Sequence, residues 1–181
     1  RSAVERVVLP HLRARGIGRL DYVLLSHPHA DHIGGLQALL QNVDVGDVWW
    51  TGDRRHAPAS LLAPLAEVRS LWVGPGFRVR LGNASLRILG PLRPAKTYDD
   101  VNDGSLVAQV ELGAARVLFT GDAEAESEAE LVEHYGHRLR SDVLMLGHHG
   151  SRSSTQPAFL QAVQPALTIA SCGHHNRFGF V

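Results

Sequence analysis

The segment His27-Pro28-His29-Ala30-Asp31-His32 places three imidazoles and a carboxylate within six residues, directly after the apolar run 20–26. That run is typical of a buried strand. Because side chains two residues apart on an extended backbone point to the same side, we expect His27 and His29 to bind one metal ion. Asp31 and His32 follow where the chain turns into a helix, and can face a second. The alternative is a surface histidine cluster with Asp31 as a helix cap; four potential ligands in this order favour the metal site.

Two later strand ends carry similar chemistry. The apolar run 118–122 ends on Asp122, where a carboxylate bridging two cations would sit. Residues 144–147 run into His148-His149-Gly150-Ser151, whose backbone N–H groups and hydroxyl can face an anion. Each feature alone is commonly a turn, but their joint occurrence with the histidine segment strengthens all three.

The remaining pattern alternates helices and strands, which predicts a single α/β domain. Apolar residues make up 44% of the 181-residue chain, which is enough for a sizeable core. The 18 basic residues balance the 18 acidic ones, so the net charge does not indicate nucleic-acid binding. The single Cys172, expected to be buried, excludes an internal disulfide and a cysteine-rich zinc module. We expect helices near residues 4–12, 33–40, 58–68, 123–135 and 156–163. We expect strands near residues 20–26, 45–50, 105–112, 116–120, 142–146 and 166–170, and two or three more around residues 71–73, 77–81 and 85–89.

The joint pattern resembles the metallo-β-lactamase superfamily, in which a His-x-His-x-Asp-His segment is followed by a strand-terminal Asp and a strand-terminal His. The resemblance implies an αββα sandwich with a two-metal site, in one hydrolase domain over residues 1–181. Segments 24–36, 102–107, 148–151 and 176–179 look like the C-terminal domain of the ComEC competence proteins, the DNA-uptake channels of naturally transformable bacteria.

The narrower resemblance implies a deoxyribonuclease that degrades the strand that does not enter the cell, acting with two divalent ions, Mn²⁺ or Zn²⁺. Its partners would be DNA and the transmembrane channel portion of the same longer protein. The domain would lie at the extracytoplasmic face of the bacterial membrane. Oxygen-rich surroundings and the lack of a third imidazole favour Mn²⁺ somewhat.

The resemblance also implies roles for particular residues. The expected metal ligands are His27, His29, Asp31, His32 and Asp122, with one or both of His148 and His149. The expected catalytic residues are Asp31, His149 and His175, and the expected substrate-binding residues are Asn102, Ser105, Ser151, Asn176 and Arg177. A local basic strip of Arg54, Arg55, Arg152 and Arg177 is expected to contact phosphates.

The sequence departs from the family pattern at three places. The upstream strand pair with its own early Asp is expected before residue 1, Asn102-Asp103 stands where a mid-chain His ligand is usual, and Phe180 stands at a further His position. The same pattern is compatible with two other functions: a phosphoesterase acting on a small or cell-wall substrate, and a non-catalytic DNA-binding or gating module.

Overall fold

The strands form two sheets in a computed structural model that describes residues 2–52 and 57–173. A three-stranded sheet lies within Arg1–Trp72, which is one compact unit, and a six-stranded sheet lies within Val73–Val181, which is another. The expectation of a single domain stays a prediction.

The first unit has a parallel sheet of order β1-β2-β3. Its strands are β1 (Arg19–Leu24), β2 (Asp44–Trp50) and β3 (Arg69–Trp72). A short π-helical segment (Val4–Val8) leads into α1 (Leu9–Ala14), and α2 (Ala30–Ile33), α3 (Leu36–Leu40) and α4 (Ala59–Leu65) follow.

A core cluster forms where this sheet meets its helices. Val48 and Trp50 of the central strand pack with Leu36, Leu61 and Leu65. Val48, Trp49 and Trp50 at the end of β2 are buried, because helices that connect parallel strands cover the sheet.

The predicted helix over residues 33–40 is wrong in one respect: it is two helices, α2 and α3, separated by Gly34-Gly35. A Cβ on Gly34 would lie 2.4 Å from the backbone oxygen of Ala30, and one on Gly35 would lie 2.2 Å from Val4 Cγ2. The glycine pair therefore permits close approaches that the periodicity of apolar residues does not reveal.

The second unit has a mixed sheet of order β4-β5-β6-β7-β8-β9. β4 to β7 are antiparallel, and β7, β8 and β9 are parallel. The strands are β4 (Arg78–Leu81), β5 (Ala84–Gly90), β6 (Val107–Leu112), β7 (Ala115–Phe119), β8 (Val143–Met145) and β9 (Leu167–Ile169). The helices are α5 (Ala125–Tyr135) and α6 (Pro157–Val163), and one-turn 3₁₀ helices lie at Ala95–Thr97, Asn102–Gly104 and Gly136–Leu139. The segment Gly147–Gly150 is a turn whose two central residues have non-helical backbone angles.

The core of this unit joins the sheet to α5 and α6. Leu118 of β7 and Leu144 of β8 are fully buried and share one cluster with Leu131 and Phe159. Because β7 and β8 are parallel neighbours, their carboxyl ends lie at the same edge of the sheet. The segments that follow them, which contain Asp122 and His148-His149, are therefore brought together.

The predicted strand positions are confirmed to within a few residues of their ends, and the two or three strands expected over residues 71–89 are three. The expected burial of the strand over residues 20–26 is wrong for β1, which contains no buried residue because it lies at the edge of the three-stranded sheet. The expected burial of Cys172 is wrong: its side chain is exposed, just beyond β9, whose own three residues are all exposed. Within the described part of the chain, no helix is long and apolar enough to cross a membrane.

Candidate metal centre

In the first unit, the histidine segment leaves the sheet at the end of β1. The Leu25 N–H still donates to the Trp49 carbonyl at 2.9 Å, continuing the pairing with β2. His29 is extended, with φ −69° and ψ 149°, and its carbonyl accepts the N–H groups of His32 and Ile33 at 3.0 Å as α2 begins. This change from strand to helix gathers the four polar side chains at one place.

The imidazoles of this segment contact one another. His27 Nε2 lies 2.9 Å from His29 Nδ1, and the ring centroids of His27 and His32 are 4.2 Å apart. The Ser26 hydroxyl lies 3.1 Å from Nδ1 of both His27 and His32, so it links their orientations. Asp31 Oδ2 lies 3.5 Å from His32 Nε2.

Burial differs sharply across this cluster. His27 is buried, with 5% of its surface exposed, whereas the Asp31 side chain is 62% exposed. Buried imidazoles need partners, and ring nitrogens turned toward each other in a group with a carboxylate suit a divalent cation.

In the second unit, Asp122 lies just past the end of β7. Gly121 has φ +56°, a left-handed conformation that turns the chain, and the Thr120 hydroxyl donates to the Met145 carbonyl at 3.0 Å. The Asp122 backbone N–H donates to Ser105 Oγ at 3.1 Å. The Asp122 carboxylate is thereby held at the sheet edge, 3% exposed.

The His148-His149 pair follows β8 in an unusual backbone conformation. Both residues have positive φ, 43° and 58°, which is uncommon for side chains other than glycine. Backbone bonds from His148 N to the Gly121 carbonyl (3.2 Å) and from Ser151 N to the His148 carbonyl (2.9 Å) hold it. Gly147 permits the turn, because a Cβ there would lie 2.6 Å from the Ala123 carbonyl oxygen.

The two imidazoles have different partners. His149 Nε2 lies 3.7 Å from Asp122 Oδ2, and its Nδ1 donates to the Ser171 carbonyl at 2.8 Å. His148 Nδ1 instead contacts the Glu124 carboxylate. The rings lie 6.1 Å apart at 62°.

Each unit thus carries a pair of candidate metal ligands, Asp31 with His32 in the first and Asp122 with His149 in the second. Imidazole nitrogen and carboxylate oxygen are donors that Zn²⁺ and Mn²⁺ accept, so these residues fit a divalent metal. The assignment of individual ligands stays a prediction.

The Asn102-Asp103 segment is built into the support of α5. Asp103 Oδ1 accepts the backbone N–H groups of Glu124 (2.9 Å) and Ser127 (3.0 Å), so it caps the helix from a distant part of the chain. Burial raises the pKa of Asp103 above its usual value, and these two N–H groups oppose that rise. Asn102 Nδ2 donates to Glu124 at 3.3 Å, and Asn102 Oδ1 is buried with no hydrogen-bond partner among the described residues.

The predicted substrate-binding residues have different surroundings. Ser105 is fully buried behind Asp122, and Ser151 Oγ lies 2.8 Å from Ser153 Oγ. Asn102 is buried, and its Nδ2 is the atom that could donate to a phosphate oxygen, since Oδ1 is an acceptor. Arg152 of the expected basic strip is exposed. The predicted residues Arg54, Arg55, His175, Asn176 and Arg177 lie outside the described residues.

Sequence reasoning missed two acidic residues in this region, Glu124 and Glu128. Glu128 is fully buried, and its carboxylate accepts the backbone N–H groups of Thr155 (2.6 Å) and Gln156 (2.8 Å). Burial raises the pKa of Glu128 to about 7. Both residues lie in the range 123–135 that the sequence predicts as a helix, and no signal in the sequence separates them from the exposed acidic residues of the same range.

Comparison with known proteins extends over nearly the whole chain. The chain is 37% identical over 183 residues to competence protein ComA of Neisseria gonorrhoeae, covering 98% of this chain and 23% of that protein. It is 33% identical over 186 residues to ComE operon protein 3 of Bacillus subtilis (strain 168), again covering 98% and 23%. The chain therefore spans less than a quarter of the length of these relatives, and its predicted resemblance to competence proteins is confirmed.

Solved structures and family models agree on the fold. The crystal structure of CmlA, a diiron β-hydroxylase from Streptomyces venezuelae, superposes with a TM-score of 0.58 at 16% identity, covering 83% of this chain and 35% of that one. The model of the metallo-β-lactamase superfamily matches residues 2–174. The chain therefore belongs to the metallo-β-lactamase superfamily and has its fold, as the sequence predicts.

Proposed function

We propose that this chain is a metal-dependent deoxyribonuclease domain that degrades the non-transforming strand during DNA uptake. The observation that carries the proposal is the intact His27–His32 ligand segment in a chain that matches competence proteins over 98% of its length. The domain would belong to a longer membrane protein and lie at the extracytoplasmic face of the bacterial membrane, with the channel portion of that protein as its partner.

Two divalent ions, Mn²⁺ or Zn²⁺, are the proposed cofactors. The side chains that would hold them are His27, His29, Asp31, His32 and Asp122, with one or both of His148 and His149. When bound, such ions lower the pKa of water and offset negative charge on a phosphodiester undergoing hydrolysis.

The chain's own residues prepare this site. The Ser105 hydroxyl accepts the backbone N–H of Asp122 and so fixes its position. The Ser26 hydroxyl contacts Nδ1 of both His27 and His32 and orients their rings. Asn102 and Ser151, with His175, Asn176 and Arg177, are the proposed contacts to phosphate oxygens. Ser105 acts behind Asp122 in this proposal, because it is fully buried.

The test is incubation of the metal-loaded chain with end-labelled linear and circular single-stranded DNA. We expect cleavage that a chelator abolishes and that Asp99→Ala, a change to an exposed carboxylate, leaves intact. Cleavage of the linear form alone indicates an exonuclease, and cleavage of both forms an endonuclease.

Two outcomes contradict the proposal. Hydrolysis of bis(p-nitrophenyl) phosphate without cleavage of DNA favours the phosphoesterase acting on a small substrate. Tight DNA binding without cleavage at any metal loading favours the gating module.

DNA is the proposed substrate, and its binding should depend steeply on salt although the formal net charge is +0. Neutralised phosphates release counterions, so affinity falls linearly with salt on logarithmic axes. A fluorescence-anisotropy titration from low to physiological salt measures the slope, and binding that does not respond to salt contradicts a phosphate-contacting basic strip.

A further inference from the structure

The adjacent residues His148 and His149 are held apart by strain. Two consecutive non-glycine residues with positive φ are energetically costly, and such strain clusters at functional sites. Its effect here is to send one ring to the Glu124 carboxylate and the other toward Asp122. The two histidines are therefore not equivalent.

Glu124 is itself fixed from two sides. Its backbone N–H is bound by Asp103 at 2.9 Å, and its carboxylate is bound by Asn102 at 3.3 Å. Because Asp103 supplies the cap of α5, the Glu124 side chain at the N-cap position is available to reach His148. The Glu124 side chain is 17% exposed, so this contact is shielded from water.

A carboxylate at Nδ1 fixes both the tautomer and the orientation of an imidazole, because the ring then keeps its proton on Nδ1. His148 consequently presents Nε2 away from Glu124. The Ser171 carbonyl does the same for His149, whose Nε2 faces Asp122.

We propose that Glu124 is a positioning residue that orients His148 toward the substrate phosphate, while His149 is the metal ligand of the pair. The proposal rests on the proposed phosphodiesterase function and names the roles of two histidines that the sequence leaves open. Asn102 and Asp103 belong to the same support, since they hold Glu124 in place.

The first test is metal binding, measured by Mn²⁺ titration of the chelator-treated chain in a calorimeter. We expect His149→Ala to weaken Mn²⁺ binding strongly, and His148→Ala and Glu124→Ala to leave its affinity unchanged. Loss of affinity in His148→Ala or Glu124→Ala of the order seen in His149→Ala overturns the proposal, because His148 would then be a ligand and Glu124 its support.

The matched control is Glu126→Ala, two residues along the chain. Glu126 pairs with Arg93 rather than with a histidine, and its side chain is 43% exposed. Both the metal affinity and the cleavage rate of this variant should equal those of the wild type.

The second test measures the tautomer of the His148 imidazole in the metal-free chain. The ¹⁵N shifts of His148, assigned by comparison with His148→Gln, should report a protonated Nδ1 in the wild type and in Glu124→Gln, which keeps an acceptor oxygen. Glu124→Ala should move His148 toward the Nε2-protonated tautomer. An unchanged His148 signal in Glu124→Ala contradicts the positioning role.

In the nuclease assay, Glu124→Ala should lower kcat/KM by about 10- to 100-fold. This is the usual cost of removing a carboxylate that orients a functional imidazole. Glu124→Gln should recover a large part of that loss, and it also replaces Glu124→Ala in the metal titration if the alanine variant does not fold. If the wild type itself cleaves no DNA, the proposed function fails, whereas the titration and the ¹⁵N shifts still decide the roles of Glu124 and His148.

Discussion

At the scale of single residues, Asp31 separates catalysis from stability. Its side chain is 62% exposed and lies 3.5 Å from His32 Nε2, a surface pair worth about 0–1 kcal/mol. We expect Asp31→Ala to lower DNA cleavage by several orders of magnitude, because a proposed ligand of the proposed metal site is lost. The free energy of unfolding of the metal-free chain should change little.

Parallel nuclease assays, melting curves and DNA-binding titrations measure these effects. Asp21→Ala is the matched control, since Asp21 is an exposed carboxylate of the same unit that pairs with Arg19 at 3.3 Å. DNA binding should survive in both variants. If Asp31→Ala cleaves DNA as well as the wild type, the two-metal nuclease mechanism is wrong.

At the scale of elements, α5 packs behind the candidate ligands of the second unit, and the Asp103 carboxylate caps the N-terminus of this helix. Asp103→Ala removes the acceptor of two backbone N–H groups at the helix start. We expect the free energy of unfolding to fall by about 0.5–2 kcal/mol, the usual cost of losing an N-cap. Urea denaturation measures it, with Asp99→Ala as the exposed control; equal effects of the two substitutions would contradict the capping role.

The contact between Glu128 of α5 and the segment just before α6 predicts that the free energy of unfolding depends on pH. The pKa of Glu128 rises from 4.5 to about 7 on folding, so the folded chain binds a proton that the unfolded chain has released. The corresponding stability is fully present below about pH 4.5 and is lost as pH rises through about 7. The loss between pH 5 and pH 8 is about 2–3 kcal/mol.

Denaturation of wild type and Glu128→Gln at pH 5 and pH 8 isolates this contribution from that of the histidines. The variant should lack the loss, whereas Glu133→Gln, on an exposed position of the same helix, should retain it. The same pH response in wild type and Glu128→Gln would exclude Glu128 as its source.

At the scale of the whole molecule, metal binding should be linked to stability. A ligand that binds only the folded chain stabilises it by about 2.7 kcal/mol at a hundred times its Kd. We expect up to two divalent ions per chain by elemental analysis, and a Tm that rises with Mn²⁺ or Zn²⁺ and returns with a chelator. A chain that takes up no metal at any loading would refute the metal-centre assignment.

The strand positions, the family and the candidate ligand segment His27–His32 could all be predicted from the amino-acid sequence. These are local signals: an apolar run identifies a strand, and candidate ligands within six residues must lie close together whatever the rest of the chain does. The burial of a strand is not local, since β1 contains no buried residue. The boundary at Gly34-Gly35 was less predictable, since it depends on the approach of Ala30 and Val4.

The partners of the polar side chains, in contrast, depend on how distant segments pack. Glu124 contacts His148 across 24 positions of sequence and is held by Asp103 across 21. Glu128 reaches the segment before α6 across 27. Such pairs form because parallel strands bring their ends to one sheet edge and helices pack on the sheet, and no spacing within the sequence encodes that proximity.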